Sequence, residues 1–243
     1  MCARYILAQQ HAAERAFGLE RISWRYEVRY NVVPTDLVPV VRVTSGTTEG
    51  LMLRWGLIPF AAHGVAPKGA SLINARVERL EAGYSWRMPW ERGQRCILPA
   101  GGFYEPHVYE DGSRAPFFVR LVERDVFGFA GLWERSIAAD GRVVESCALI
   151  TVPANELMAS VHNEKQRMPA ILHVEDHAQW LRGTATQARA ALRPYDSELM
   201  VAHRVSRRVN SPQNDDASLI EPEPESGERM RTLPLFGSQS DSH

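Results

Sequence analysis

Cys2 stands directly behind Met1. A side chain that small permits removal of Met1 after synthesis, so the mature chain is expected to begin with an α-amine and a thiol on adjacent carbons. No internal residue supplies this 1,2-aminothiol. It reacts with aldehydes in two linked steps. The amine condenses to a Schiff base, then the thiol adds to the same carbon and closes a five-membered thiazolidine ring. The ordinary pKa of an α-amine is about 7.7–8.0 against about 10.4 for lysine, which leaves on the order of 300-fold more free base at pH 7. The chemistry also needs an acid to carry water off the carbinolamine and a group to hold the amine in place. A carboxylate, an imidazole and a neutral hydrogen-bonding side chain are therefore expected around Cys2.

Three polar residues interrupt apolar, strand-like stretches and meet that description. Asn74 lies in SLINARVERL, Glu105 closes GGFYE, and His162 follows a short amphipathic segment in NELMASVHNEKQRMPAIL. Singly, each has a plain structural reading: a turn residue, an edge charge and a cap at a helix end. With Cys2 they form the candidate catalytic set.

The elements that must position them are short. A surface helix is predicted over Ala8–Glu20. Strands are predicted over Leu37–Val43, Leu51–Leu57, Ser71–Ile73, Arg95–Leu98, Gly102–Glu105, Phe117–Leu121, Phe127–Trp133 and Ser146–Val152. Short helices follow at Ala154–Val161, Glu175–Leu181 and Thr186–Leu192, then a last strand at Leu199–Val205. Many strands separated by turns, with few βαβ periods, point to an α+β fold: a single domain of mainly antiparallel strands forming an open, barrel-like sheet with flanking short helices. The chain divides into one domain over residues 1–222 and a disordered acidic, Pro- and Ser-rich tail over 223–243.

Composition narrows the partners. The 243 residues carry a net charge of −1, but seven acidic and two basic residues lie from Asp215 onward, so the preceding body has a net charge of +4. That excess suits a polyanion without identifying one. Lys68 and Lys165 are the two lysines; arginine supplies the remaining basic side chains. Cys96 and Cys147 sit in apolar runs and read as buried small hydrophobes. No Cys/His spacing suits a metal, so no metal or cofactor is expected, and no nucleotide cofactor. No apolar run reaches the roughly 18 residues of a membrane helix, and no secretory pattern opens the chain. A protein of the cytosol, or of the chromosome in a cell without a nucleus, is expected.

Seven motifs occur in order: CARY (2–5), RYNVVP (29–34), RWGLIP (54–59), INARVE (73–78), GFYE (102–105), RMPAIL (167–172) and VSRRVN (205–210). The set resembles the SOS response-associated peptidase (SRAP) family, the abasic-site shield proteins, over residues 2–222. The resemblance implies a compact domain that binds single-stranded DNA and crosslinks to abasic sites through a thiazolidine on its N-terminal cysteine. By matching motifs, Cys2 is the nucleophile. Asn74 positions the amine or sugar, Glu105 orients the amine and shuttles protons, and His162 is the acid/base partner. Arg4 and Arg76 would face phosphates, with Arg79 and Arg207 as further phosphate contacts. Phe60 and Trp86 are the expected aromatic surfaces for bases, whereas Trp55 belongs to the core. Arg167 and Arg208 are alternatively structural partners of carboxylates.

The chain departs from the family pattern at Ala3, Ala61 and Pro106, and in the four residues Asn163–Gln166 between His162 and Arg167. His107 and His173 are the other imidazoles that this longer loop leaves open. The expected partner is single-stranded DNA containing abasic sites, met by a monomer. Two rival readings stand beside this one. In the first, Cys2 serves an N-terminal-nucleophile autopeptidase. In the second, the protein is a non-covalent single-strand binder with Cys2 incidental. A lysine-based lyase would rely on Lys68 or Lys165, neither of which lies in an apolar, pocket-like stretch.

Overall fold

A computed structural model describes residues 2–67 and 72–223. Its strands are β1 (Tyr5–Ile6), β2 (Arg21–Ile22), β3 (Leu37–Thr44), β4 (Thr47–Trp55), β5 (Asn74–Arg76), β6 (Arg95–Ala100), β7 (Gly102–Val108), β8 (Arg114–Leu121), β9 (Phe127–Ile137), β10 (Val143–Pro153), β11 (Arg167–Pro169), β12 (Ile171–Leu172) and β13 (Met200–Arg204). The helices are α1 (Gln10–Phe17), α2 (Arg87–Glu91), α3 (Glu156–Val161), α4 (His177–Arg182) and α5 (Ala185–Ala190).

Five strands close into a barrel. Antiparallel pairings run from β4 to β3 (Val41 opposite Gly50), β3 to β6 (Val41 opposite Ile97), β6 to β9 (Ile97 opposite Ala130) and β9 to β10 (Ala148 opposite Leu132). The ring closes where β10 meets β4 in parallel, Cys147 opposite Trp55. The apolar run of β10 is buried from Ser146 to Val152, as expected of a strand covered on both faces. Trp55, Ile97, Phe129, Leu132 and Leu149 are all buried in the core, together with Cys96 and Cys147. The mainly antiparallel, barrel-like sheet with short peripheral helices read from the sequence is the architecture found, but the barrel expected to be open is closed, because β10 also pairs with β4 in parallel.

A second sheet runs β1-β7-β8-β13. Gly102 opens β7 where a Cβ would collide with the ring of Phe118 and the Val119 carbonyl, so this residue must be glycine for β7 and β8 to approach. Past β13 the chain turns back, pairing Val205 with Pro222.

Several predicted bounds shift for local reasons. The first helix is shorter than 8–20 because Gly18 takes a left-handed φ of 54° and caps it. The strand expected at Ser71–Ile73 is instead Asn74–Arg76, with Leu72 and Ile73 in a turn and Ser71 outside the described residues. Asn155 caps α3 by accepting from the Met158 amide, and Thr184 with Gln187 forms a capping box on α5. The predicted tail lies outside the described residues except for Glu223, whose carboxylate pairs with Arg204 at 2.5 Å. Among the described residues no helix is long and apolar enough to cross a membrane.

Candidate active site

Strand pairing carries Cys2 toward Glu105. Tyr5 lies opposite Phe103 in antiparallel register, and the Tyr104 amide donates to the Arg4 carbonyl at 3.0 Å. Residues before Tyr5 therefore run beside residues after Phe103 on β7. Glu105 follows directly and is 1% exposed.

Asn74 arrives from the barrel. Its strand β5 pairs in parallel with β10, Asn74 opposite Leu149. From there its Nδ2 donates to the Cys2 carbonyl at 2.7 Å. Its Oδ1 is buried without a hydrogen-bond partner among the described residues, an acceptor available to a donor near the chain end.

His162 caps the C-terminal end of α3, its amide donating to the Met158 carbonyl. The loop that follows returns through Gln166, whose φ is 48°, to β11. There the Arg167 carbonyl lies 3.0 Å from His162 Nδ1. A carbonyl only accepts, so Nδ1 carries the proton and the lone pair sits on Nε2. The same Nδ1 is 3.7 Å from Glu105 Oε2.

Burial tunes all three titratable groups. It pushes the Glu105 carboxyl up to about 7, so this acid is near half protonation at neutral pH. It lowers His162 from the usual imidazole range, keeping the ring neutral. Burial and the nearby Glu105 charge push the Cys2 thiol well up, so it stays protonated until a base takes the proton. The arrangement holds a thiol, a half-ionised acid and a neutral imidazole at one place.

Glu105 and His162 line a cleft of about 290 Å³ together with Ala3, Arg4, Lys165 and Arg114, among others, and Cys2 is buried directly behind Ala3. Arg4 is fixed at its rim, donating to Asn31 Oδ1 at 2.8 Å and to the Asn210 carbonyl at 2.6 Å. Asn31 is fully buried, and its Nδ2 donates to the carbonyls of Val209, Ser211 and Asn214.

The DNA-facing residues expected from sequence are dispersed. Arg76 and Arg79 are exposed just beyond Asn74, and Arg207 is exposed on the turn that supplies Asn210. Phe60 is 50% exposed, with the Arg92 guanidinium 5.8 Å from its ring centre. None of the four lines the cleft. Trp86, expected on the surface, is instead 9% exposed and packed in the core at the start of α2. An apolar ring preceding a helix that buries Pro89 and Trp90 gains more from that packing than from solvent. Trp55 is buried as expected.

Arg167 pairs with Glu78 at 2.7 Å and Arg208 with Asp216 at 2.8 Å, both structural contacts. His107 turns to the Ser160 carbonyl and His173 stacks on Tyr195, and neither lines the cleft. Sequence reasoning missed Asn31, Arg114 and Lys165. Lys165 was set aside for its polar surroundings in the sequence, yet it lines the same cleft as Glu105. Among the described residues no cluster of three or more His, Cys, Asp or Glu could hold a metal ion.

A family model described as SOS response associated peptidase (SRAP) matches residues 1–212. The chain belongs to this family. SRAP relatives include the abasic site processing protein YoqW of Bacillus subtilis, 35% identical over 91% of this chain and 99% of that protein. The abasic site processing protein HMCES of Gallus gallus is 27% identical over 82% of this chain and 67% of that protein. A crystal structure of a protein from Bordetella bronchiseptica superposes with a TM-score of 0.74, at 28% identity, covering 84% of this SRAP chain and all of that one. One from Bacteroides thetaiotaomicron, at 24% identity, shares the fold with a TM-score of 0.76, covering 91% of this chain and all of that one.

Proposed function

We propose that this protein processes abasic sites in single-stranded DNA, and that it does so by a covalent thiazolidine between a mature N-terminal Cys2 and the aldehyde of the opened sugar. The observation that carries the reading is the convergence on Cys2. Asn74 holds the Cys2 carbonyl, the Glu105 charge acts on the Cys2 thiol, and Glu105 and His162 lie 3.7 Å apart in the lining of the adjoining cleft. The family's abasic site processing relatives support the substrate.

The steps balance within this set. Once Met1 is removed, the free α-amine of Cys2 attacks the aldehyde carbon. One amine proton passes to oxygen to give the carbinolamine. Protonated Glu105 gives its proton to that hydroxyl, which leaves as water and yields the protonated imine and the Glu105 carboxylate. The thiol then adds to the same carbon: sulfur bonds to carbon, the carbon–nitrogen π pair returns to nitrogen, and the thiol proton passes to the Glu105 carboxylate, directly or through His162 Nε2, which restores the acid. No atom is lost in that second step. An imine at an abasic site favours β-elimination and strand breakage, and ring closure removes the imine. The product is a shielded lesion on an intact strand.

Arg76, Arg79 and Arg207 supply phosphate contacts and Phe60 a stacking face in this reading. Arg4 both orders the chain end and presents charge at the cleft. The protein acts as a monomer in the cytoplasm, on the chromosome when it is engaged. The domain over 1–222 carries the activity.

The test uses a uracil-containing single strand treated with a glycosylase. A protein–DNA band that survives heating, and disappears in Cys2→Ala, is the expected result. Intact mass first establishes loss of Met1, and peptide mass spectrometry of the complex should place the bond on Cys2. Absence of the band despite a free Cys2, or a bond elsewhere, overturns the reading. Cleavage of unrelated peptides without any band would favour the peptidase instead.

A further inference from the structure

The loop between His162 and Arg167 carries charges that the reaction itself does not use. It is Asn163, Glu164, Lys165 and Gln166. Both ends are fixed. The Asn163 side chain accepts from the Val108 amide at 3.1 Å and donates to the Val108 carbonyl at 2.7 Å. The Gln166 amide donates to the His162 carbonyl at 2.9 Å, and the Gln166 carbonyl accepts from the Ala154 amide at 3.0 Å. Its tip is exposed, with Glu164 and Lys165 both lining the cleft.

The two charges are used differently. Glu164 pairs with Arg114, another cleft residue, at 3.0 Å. Lys165 forms no salt bridge among the described residues, and its charge acts on both Glu105 and His162. The mouth thus holds one guanidinium already satisfied by a carboxylate and one ammonium that is not.

We propose that Lys165 seats a backbone phosphate of the single strand beside the reacting sugar, and that Glu164 occupies Arg114 so that Arg114 does not. This rests on the single-strand reading above and adds the residue that sets its register in the cleft. An ammonium on a flexible stem suits a phosphate whose position shifts as the sugar opens, because it binds as a point charge. A carboxylate 3.0 Å from Arg114 neutralises that guanidinium and competes with a phosphate for it. The loop therefore favours the phosphate at Lys165 over a second at Arg114.

Equilibrium binding of Cys2→Ala protein to a single strand carrying an abasic analogue that lacks the aldehyde, measured across salt concentrations, tests this, because neither amine nor thiol can then react. Each phosphate contact contributes about 0.7 to the slope of log K against log salt on single strands. Lys165→Gln should lower the slope by about 0.7, and Lys165→Arg should restore it. Glu164→Gln should raise the slope by a similar amount by freeing Arg114. Arg15→Gln, on α1 outside the cleft, should leave it unchanged. In the Cys2-containing protein, Lys165→Gln should also slow crosslinking at subsaturating DNA. Equal slopes for all the variants, while unmodified protein still crosslinks, overturn the inference and leave the covalent reading standing. Failure of unmodified protein to crosslink overturns the covalent reading itself.

Discussion

The barrel and the reactive chain end are built by different means. The barrel is held by continuous ladders: β9 and β10 pair from Val143–Ile137 to Leu149–Gly131, and β3 and β4 from Leu37–Arg54 to Thr44–Thr47. Its buried residues are mainly apolar, with an Arg42–Glu49 ion pair among them. The chain end has a strand of two residues, and beyond it Cys2 and Arg4 are fixed by side chains of Asn74, Asn31 and their own guanidinium. Ladders and apolar burial supply stability in bulk, whereas single polar clamps supply position. Damage to the first should therefore appear in melting temperature and damage to the second in reaction rate.

The largest expected effect on stability lies in the barrel. Leu132→Ala, which removes a buried side chain on β9, should destabilise by about 2–5 kcal/mol, read by denaturant unfolding. Crosslinking per folded molecule should be unchanged; a lower specific rate would mean that the two regions are not separable.

Asn74→Ala should invert that pattern. Losing the 2.7 Å hold on Cys2 should slow crosslinking by roughly 10- to 100-fold through misplacement of the amine. It also removes an acceptor that has no partner among the described residues, which offsets part of the cost of leaving the Cys2 carbonyl unpaired, so melting should change less than the rate. A large drop in melting temperature with an unchanged rate would assign Asn74 to the architecture.

Glu105→Gln sharpens the comparison through pH. Because burial raises the folded pKa to about 7, the folded state keeps the proton where the unfolded state has released it. The fold is therefore penalised as pH rises above the ordinary carboxylate range, and the penalty levels off above about pH 7. It amounts to at most about 3 kcal/mol. Glu105→Gln should raise stability more at pH 8 than at pH 4.5. The basic limb of the crosslinking profile, set near pH 7 by loss of the Glu105 proton, should disappear in that variant. An unaltered basic limb would remove Glu105 as the acid.

Asn31→Ala should have the smallest effect, intermediate in kind. It leaves Arg4 and three carbonyls short of a partner and should cost about 1–3 kcal/mol. Crosslinking should slow several-fold as the chain end loosens. Loss of stability without slowing would confine Asn31 to holding the C-terminal segment.

Strands such as Leu37–Thr44 and Phe127–Ile137 were legible because their apolar periodicity is local. Barrel closure was not, because nothing within β10 states that it pairs with both β9 and β4. Asn74 stood out as a polar residue in an apolar setting, but its place on a strand was hidden by the adjoining turn. Trp86 misled because its neighbours Tyr84, Arg87 and Met88 are exposed while its own ring turns inward. Lys165 was obscured for the opposite reason. Its polar neighbours in the sequence suggested open solvent, and only the return of the loop to β11 brings it to the cleft.

The clamps on the chain end also impose an order of events. Arg4 and Asn31 take their partners from Val209 to Asn214, more than two hundred residues downstream of Cys2. During synthesis those acceptors emerge long after the chain end does. A nascent polypeptide has its amino end exposed from the beginning but lacks the braces that hold it beside Glu105. Assembly of the site around Cys2 is thus postponed until translation has passed the final clamp.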